Sequence, residues 1–327
     1  MAITGTGTEQ DPFIVHDYSE FISLSGHEPI SDTEAVYIKF FDTPNHTIDC
    51  NGYGSEFTWD AFTGNARLYG NCTYYIDLNG CTIKNFLIKA GATMFSGEDQ
   101  HVWNGSYTWI KISNGSFKNV FMGSATSKFI GQLVTLQDIS VSINIAGTTA
   151  IPFDGGSNGS TIDNSAFYIV ASTLSTNLMY KVTVSDTDIE LHVSNQNSQS
   201  MFPNCSFTDC RFQGEIGGLA IKTGNYPTYH FVVLGINTNG SQSNDTVLTN
   251  CVVDIDISDM TLNWSGAVVC FYAPSNGATL NTNVFCYSHY PETYNHPADW
   301  NYMSHENIRN GTYLNNAGFT VVEVAGG

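Results

Sequence analysis

The stretch that decides the fold is DTVLTNCVVDIDI, residues 245–257. Leu248 belongs to one short alternating run. In the run that follows, Cys251, Val253, Ile255 and Ile257 share one face of the strand. Val252, Asp254 and Asp256 share the other face. Such alternation is typical of β-strands that bury one face. The phase slips by one residue at Asn250, and Asn tolerates the left-handed conformation that a sharp change of direction needs. The stretch therefore predicts two short strands joined by a corner at Asn250.

The same pattern recurs along most of the chain. Each copy begins with an apolar residue and one intervening residue. An Asn or Asp then follows, with a small or apolar residue and a second alternating run after it. The corners predicted in this way are Asn85, Asn119, Asp138, Asn164, Asp186, Asp209 and Asn250. The shortest spacings between them, about 19 to 26 residues, fit one turn of a solenoid, and the longer ones fit a turn with an inserted loop. The sequence therefore predicts an all-β solenoid.

Composition and charge exclude several functions. The 327 residues carry 30 Asp and Glu against 11 Lys and Arg, a formal charge of −19. Because no Lys/Arg cluster exists, binding to nucleic acid or to anionic membranes is not expected. No apolar run approaches the roughly 20 residues of a membrane span, and the N-terminus lacks the features of a signal peptide, so we expect synthesis in a cytoplasm. No cofactor motif is present.

The eight cysteines do not form the spacing of a disulfide framework or of a zinc site. Cys210 and Cys251 each follow a corner residue directly, so both are expected to point inward from the same position of successive repeats. We interpret them as reduced, buried thiols.

The order of elements predicts three regions. Residues 1–34 form an N-terminal capping segment with a short helix over Asp17–Leu24, because an open solenoid end exposes unpaired backbone groups. Residues 35–290 form the β-helix. Residues 291–327 form an irregular aromatic loop and a terminal strand.

A resemblance to known proteins narrows the class of protein to which this chain could belong. The repeated corners resemble those of the single-stranded right-handed parallel β-helix, the pectin-lyase-like fold. Three stretches are similar to β-helical virion proteins of tailed bacteriophages: GTGTEQDPFIV from Gly5, YIDLNGCTIKNFLI from Tyr75, and IRNGTYLNNAGFTVVEV from Ile308. The resemblance implies a homotrimeric, protease-resistant structural protein of the virion, assembled in the host cytoplasm. It would serve in capsid decoration, in a fibre or in a tail, with other virion proteins and cell-surface glycans as partners.

Outward strand positions late in the chain carry charged and polar side chains. If the repeats stack in register, one face collects acidic residues around Arg211. This set comprises Asp188, Glu190, His192, Arg211, Gln213, Glu215, Asp254 and Asp256. The carboxylates are the candidate catalytic acids, and His192, Arg211 and Gln213 are candidates for contact with a glycan or partner. A sugar groove, a calcium site, a partner surface and a solvated face with weak charge pairs all remain open.

Recognised catalytic motifs are absent. GINTNGSQSNDTVLTNC faintly resembles a polygalacturonase motif, but Asn239 stands where the catalytic Asp would be, and a neutral amide cannot act as general acid or base. His289, His296 and His305 share one aromatic loop and could bind a metal. Packing and hydrogen bonding are the commoner fates of such residues, and we predict no metal site.

Outward positions of the earlier repeats are apolar instead. Leu87, Phe121, Tyr168 and Val170 would form a patch larger than a monomer usually exposes. A subunit interface, most simply threefold, is the functional interpretation, and a loop folded over the face is the structural one. The sequence as a whole predicts a structural virion protein. The alternative is a tailspike-like depolymerase of surface polysaccharide, and a bacterial adhesin is disfavoured by the missing export signal.

Overall fold

The computed structural model describes residues 3–24, 35–50, 62–63, 72–88, 91–99, 107–123, 126–146, 150–195, 201–220, 229–232, 246–256, 260–262, 267–270, 281–282, 284–287 and 300–303. These residues form one short helix and 28 strands. In chain order they are β1 (Phe13–Val15), α1 (Tyr18–Ser23), β2 (Ala35–Phe40), β3 (Thr47–Asp49), β4 (Phe62–Thr63), β5 (Cys72–Asp77), β6 (Thr82–Ile88), β7 (Thr93–Ser96), β8 (Glu98–Asp99), β9 (Tyr107–Met122), β10 (Lys128–Ile130), β11 (Val134–Ile145), β12 (Phe153–Asp154), β13 (Ser160–Asp163), β14 (Ala166–Ala171), β15 (Met179–Tyr180), β16 (Val182–Ser185), β17 (Asp188–Val193), β18 (Ser206–Thr208), β19 (Arg211–Ile216), β20 (Gly218–Ala220), β21 (Tyr229–Val232), β22 (Val247–Thr249), β23 (Val252–Asp256), β24 (Met260–Leu262), β25 (Ala267–Cys270), β26 (Asn281–Thr282), β27 (Val284–Tyr287) and β28 (Trp300–Met303).

The strands pair into parallel ladders that the chain visits in turn. Ladder 1 contains β1, β2, β5, the first half of β9, the first half of β11, β13, β16, β18, β22 and β26. Ladder 2 contains β3, β6, the second halves of β9 and β11, β14, β17, β19, β23, β27 and β28. Ladder 3 contains β4, β7, β10, β12 and β15. We call one passage of the chain through the ladders a rung.

Left-handed residues mark the turn from ladder 1 into ladder 2, as the sequence pattern predicts. The later corners have positive φ at Asp138 (55°), Asn164 (43°), Asp186 (46°), Asp209 (55°) and Asn250 (53°). These five corners are confirmed. Asn and Asp occupy them because their short polar side chains make the left-handed conformation less costly than other side chains do.

The prediction of corners at Asn85 and Asn119 is wrong, although both residues have positive φ (60° and 53°). Both lie inside strands of ladder 2. At Asn119 the pairing of β9 with β11 shifts register between Val141 and Ile143, which is a β-bulge. A bulge and a corner both place one left-handed residue between two alternating runs, so the sequence pattern is the same for both.

The corners of those two rungs are at Asn79 (φ 50°) and Asn114 (φ 59°). The backbone N–H of Gly80 donates to the carbonyl of Asn114 at 2.6 Å, so the two corners stack. Asn79 and Gly80 both lie in a turn.

Side-chain amides link successive rungs at these left-handed positions. Asn85 Nδ2 donates to Asp49 Oδ1 at 2.8 Å, and Asn119 Nδ2 donates to Asn85 Oδ1 at 3.0 Å. The Nδ2 groups of Asn164 and Asn250 donate in the same way to the Oδ1 atoms of Asp138 and Asp209. In each pair the later rung donates and the earlier rung accepts.

A column of aromatic rings fills the core between the ladders. The ring centroids of Phe117 and Phe129 are 5.1 Å apart, those of Phe129 and Phe153 are 6.0 Å apart, and those of Phe153 and Phe167 are 4.9 Å apart. All four side chains are buried. Edge-to-face contacts of this kind add to the free energy gained from burying apolar area.

The cysteines of the described residues lie in the same core. Cys50, Cys72, Cys81, Cys205, Cys210 and Cys251 are all free and buried. Cys210 and Cys251 occupy equivalent positions just after a corner on successive rungs. The prediction of reduced, buried thiols is therefore confirmed for these six.

The N-terminal segment covers the first rung. Asp17 caps α1 by accepting from the N–H of Glu20 at 2.9 Å, and the helix packs Phe21 against Phe40 with ring centroids 5.0 Å apart. The N–H of Ile14 donates to the carbonyl of Thr4 at 2.9 Å, which occupies part of the outer edge of β1. The predicted helix is confirmed, and it closes the end of the core because its apolar side faces inward.

The described part of the chain is thus all-β, with a large parallel sheet and one short helix, an arrangement consistent with a parallel β-helix. None of the helices among the described residues is long and apolar enough to cross a membrane.

Candidate functional site

The outward positions of β17, β19 and β23 form a three-by-three array on ladder 2, which we call the acidic face. Register places its residues in three columns: Asp188, Arg211 and Val252; Glu190, Gln213 and Asp254; His192, Glu215 and Asp256. Neighbouring strands of a ladder lie about 4.8 Å apart. The structure therefore brings together every residue that the sequence analysis assigned to an acidic or glycan-contacting face.

His192 joins two carboxylates at one corner of this array. Its Nε2 is 2.9 Å from Glu190 Oε1, and its Nδ1 is 3.3 Å from Glu215 Oε1. Burial alone would lower the pKa of His192, but the hydrogen bonds and charges of Glu190 and Glu215 outweigh it and raise that pKa above the ordinary 6.5. Gln213 Nε2 donates to the other oxygen of Glu190 at 3.2 Å. Both ring nitrogens are thus held by carboxylates, which favours the charged imidazolium.

Asp188 and Arg211 face each other in register on neighbouring strands. Burial raises the pKa of Asp188; the charge of Arg211 lowers it, the charge of Glu190 raises it, and the net shift is upward. The buried Nε of Arg211 has no hydrogen-bond partner. Asp188 is therefore the carboxyl of this face whose environment most resembles that of a general acid.

The residues of β23, the third strand of the array, depart from the prediction. Asp254 is an outward strand residue, yet only 4% of it is exposed, and its neighbour Val252 is 2% exposed. Asp254 is therefore not the solvent-facing acid that the sequence analysis expected. Asp256 is exposed. Strict alternation predicts which way a side chain points but not what lies over it.

The geometry limits the chemistry of the two glutamates. An inverting glycosidase needs space between its two carboxyl groups for a water and the sugar bond. The ring of His192 occupies that space between Glu190 and Glu215. Asp188 and Glu190 are not bridged in this way. Within the described part of the chain, no group of three or more His, Cys, Asp or Glu residues is arranged to hold a metal ion.

The apolar candidates lie on the same ladder, toward its N-terminal end. Leu87 pairs in register with Phe121, and Phe121 is 46% exposed. Tyr168 is 43% exposed, and its ring centroid is 5.1 Å from that of His192. Val170 follows Tyr168 at the next outward position of β14.

These residues form two apolar spots instead of one patch. The rung of β11 lies between them and presents Ser142 and Asn144 at the same outward positions. Phe121 and Tyr168 are the large apolar side chains most exposed among the described residues. The exposed Phe121 and Tyr168 thus lie on rungs that precede the acidic face, which begins at β17.

A groove on ladder 1 is a feature that the sequence analysis missed. It has a volume of about 500 Å³ and lies between ladder 1 and the capping segment, where Glu9 and Pro12 form one wall. Its polar lining includes Tyr37, Lys39, Tyr75, Asp77, Lys111, Ser113, Thr135 and Gln137. The available signal was the alternation of AVYIKF and CTYYID, which puts Tyr37, Lys39, Tyr75 and Asp77 on outward positions.

Two other predictions concern residues outside the described part of the chain: Asn239, in the segment that resembles a polygalacturonase motif, and the histidines His289, His296 and His305.

Comparisons with known proteins do not assign this chain to a family. No family model matches the sequence, and no curated protein is significantly similar to it. Among solved structures, a candidate immunoglobulin A1 protease from Bacteroides ovatus matches with a TM-score of 0.46 and 12% identity, over 95% of this chain and 88% of that one. A likeness at this level carries no inference about activity.

Proposed function

We propose that this chain is a structural protein of a tailed-bacteriophage particle, built as a single right-handed β-helical rod. The observation that carries the proposal is ladder 2, which continues in parallel register from β3 through β28 above a buried core. In such a stack every internal strand is paired on both sides, so unfolding and proteolysis must begin at an end. The N-terminal end is covered by α1 and by the Thr4–Ile14 bridge. The resemblance of three stretches to phage virion proteins supports the location.

The proposal includes a homotrimer. Phe121 and Tyr168 expose large apolar surfaces on one ladder, and packing three copies around an axis would remove both from water. The acidic face of the same ladder would remain available to other virion proteins or to a cell-surface glycan. Assembly would take place in the host cytoplasm, and the virion surface would be the working location.

Light scattering coupled to size exclusion, with small-angle X-ray scattering, tests this proposal. We expect an elongated trimer. Replacing Phe121 by Ser should weaken it, whereas Thr183→Ser, at an exposed position of ladder 1, should leave it unchanged. A protein that is monomeric at every concentration would refute the trimer, and a compact scattering profile would refute the rod.

A tailspike-like depolymerase is the second candidate, and Asp188 is the observation that favours it. Its pKa is raised, and it lies between Arg211 and Glu190, as a general acid beside a second carboxylate would. The test is the release of new reducing ends from bacterial surface polysaccharide. Activity lost in Asp188→Asn but retained in Asp256→Asn would establish the enzyme, and no release by the wild type would exclude it for the polysaccharides assayed.

A further inference from the structure

The exposed Tyr168 lies directly beside the acidic face. Register pairs Tyr168 with Glu190 and Val170 with His192 on the neighbouring strands β14 and β17. Such strands lie about 4.8 Å apart. The ring centroid of Tyr168 is 5.1 Å from that of His192, and the ring planes are tilted by 47°. A partner that covers Tyr168 and Val170 therefore also approaches Glu190 and His192.

The carboxylates beside this apolar spot depend on one imidazole for their compensation. The side chains of Glu190 and His192 are 33% and 29% exposed, whereas that of Glu215 is 73% exposed. Removing more water from a carboxylate costs free energy unless a cation or a hydrogen-bond donor compensates. His192 lies within 2.9 Å of Glu190 Oε1 and within 3.3 Å of Glu215 Oε1. A contact that covers Tyr168 thus depends on the charge of His192.

The titratable groups that face His192 come from β14, β17, β19 and β23. The strand β14 contributes the phenol of Tyr168 and no Asp, Glu, Lys or Arg. The other three strands contribute Asp188, Glu190, Arg211, Glu215, Asp254 and Asp256.

Glu190, Glu215 and the ring between them set the net charge beside Tyr168. Asp188 faces Arg211 in register, so that pair adds little net charge. Asp254 is buried, and Asp256 lies two rungs beyond His192. The two glutamates and the ring therefore carry one net negative charge when the imidazole is protonated and two when it is neutral.

We propose that a second copy of the chain covers Tyr168 and Val170 in the trimer, with protonated His192 at the margin of the contact, so that the trimer weakens as pH rises. This inference rests on the proposed trimer and adds its regulation. Because Tyr168 lies in the contact, threefold symmetry brings the Glu190–His192–Glu215 clusters of the copies toward one another. Their repulsion scales with the product of their net charges, so it grows about fourfold when each ring loses its proton.

The direction of the effect follows from proton linkage. Burial lowers the pKa of His192, but the hydrogen bonds and charges of Glu190 and Glu215 raise it, and the net shift is upward from 6.5. Carboxylates of the neighbouring copies raise this pKa further, so assembly takes up protons. A complex that binds protons more tightly than its separate subunits weakens as pH rises. The trimer is therefore tightest below pH 6.5 and weakens as pH rises through the raised pKa.

Sedimentation equilibrium of the full-length protein at pH 6, 7 and 8 tests this regulation. We expect the dissociation constant of the wild-type trimer to rise roughly tenfold or more from pH 6 to pH 8. His192→Gln places a neutral side chain there at every pH. Its trimer should be as weak at pH 6 as that of the wild type at pH 8. His46→Gln, at an exposed histidine beside β3 of the same ladder, should follow the wild type. Far-ultraviolet circular dichroism checks that both variants are folded.

Glu215→Gln gives a readout that a purely structural role would not produce. It removes one carboxylate from an exposed position, so one negative charge remains beside the neutral ring. We expect its trimer to be tighter than that of the wild type at pH 8, where the repulsion is greatest. If Glu215 served only to hold the ring in place, the same change would weaken the trimer. Glu9→Gln is the matched control, because it removes an exposed carboxylate from the capping segment.

The outcomes separate this inference from the trimer itself. A trimer with the same dissociation constant at pH 6 and pH 8 would overturn the regulation and leave the trimer standing. A monomer at every pH would overturn both. Equal tightening in Glu9→Gln and Glu215→Gln would assign the effect to the total charge of the chain and would also overturn the role of this cluster. A dissociation constant that rises with pH in the wild type but not in His192→Gln would establish that role.

Discussion

Glu190 Oε1 lies 2.9 Å from Nε2 of His192, and the other nitrogen of the same ring lies 3.3 Å from Glu215 on the next rung. One imidazole therefore holds two carboxylates together across neighbouring strands. Because both contacts favour the charged ring, this cluster ties the stability of ladder 2 to pH.

The first prediction concerns that pH dependence. The pKa of His192 is raised in the folded protein, so its stabilising contribution is complete below the ordinary pKa of 6.5 and is lost as pH rises through the folded value. The melting temperature of the wild type should fall between pH 6 and pH 8 by more than that of His192→Gln. Differential scanning fluorimetry across this range measures the difference. His46→Gln, at an exposed histidine of an early rung, is the control and should follow the wild type.

The second prediction concerns Asp186, a corner residue that has no side-chain amide to donate to the preceding rung. Burial raises its pKa, and the charges of Asp209 and Asp163 raise it further. The folded protein thus loses stability as pH rises through that pKa. Asp186→Asn removes the charge and supplies an Nδ2 group that can donate to Asn164, the preceding corner. We expect a gain of about 0.5 kcal/mol in the free energy of unfolding at pH 7, the low end for a hydrogen bond because the site is exposed.

Chemical denaturation at pH 7 and pH 4 measures this gain, which should shrink at the lower pH. Asn164→Asp is the opposite change, since it removes the donor to Asp138 and adds a carboxylate to the corner column. It should destabilise the protein. A stabilising Asn164→Asp, or a destabilising Asp186→Asn, would contradict the account of the corners as a ladder of amide donors.

The third prediction concerns Gly214 in β19. Its φ is +118°, and a Cβ atom there would lie 2.0 Å from the backbone oxygen of Leu191 on the preceding rung. Gly214→Ala should therefore cost more than the roughly 1–3 kcal/mol of backbone strain alone. Gly159→Ala is the matched control, because its φ is +77° but its nearest atom is 3.5 Å away. Equal urea midpoints for the two variants would show that the close approach of the rungs is unimportant.

The fourth prediction concerns the cysteines. Burial raises the pKa of Cys50 and Cys81 to about 11 and that of Cys205 to about 12. Because the thiolate is the reactive form, these residues should resist iodoacetamide at pH 8 in the native protein and react after denaturation. Peptide mass spectrometry measures the extent of labelling at each cysteine separately. Rapid labelling of Cys205 in the native state would show that its rung opens.

Local patterns in the sequence determined much of the architecture. The alternation around Asn250 and its copies identified the strands, because burying one face of a strand leaves a period of two. The corner residues from Asp138 onward, the inward Cys210 and Cys251, and the helix that Asp17 caps followed from side-chain chemistry at single positions. Each of these features depends on residues close together in the chain.

Only the tertiary structure decided which of those positions meet. The register between rungs depends on the loops that separate them, and short patterns do not contain that length-dependent information. The tertiary structure decided that Asn119 is a bulge, that Asp254 is buried, and that one histidine joins Glu190 to Glu215. It also brought Lys39 and Lys111, separated by most of two rungs, to the same groove. Stacking of distant strands creates such sites, and for that reason the sequence alone did not reveal this one.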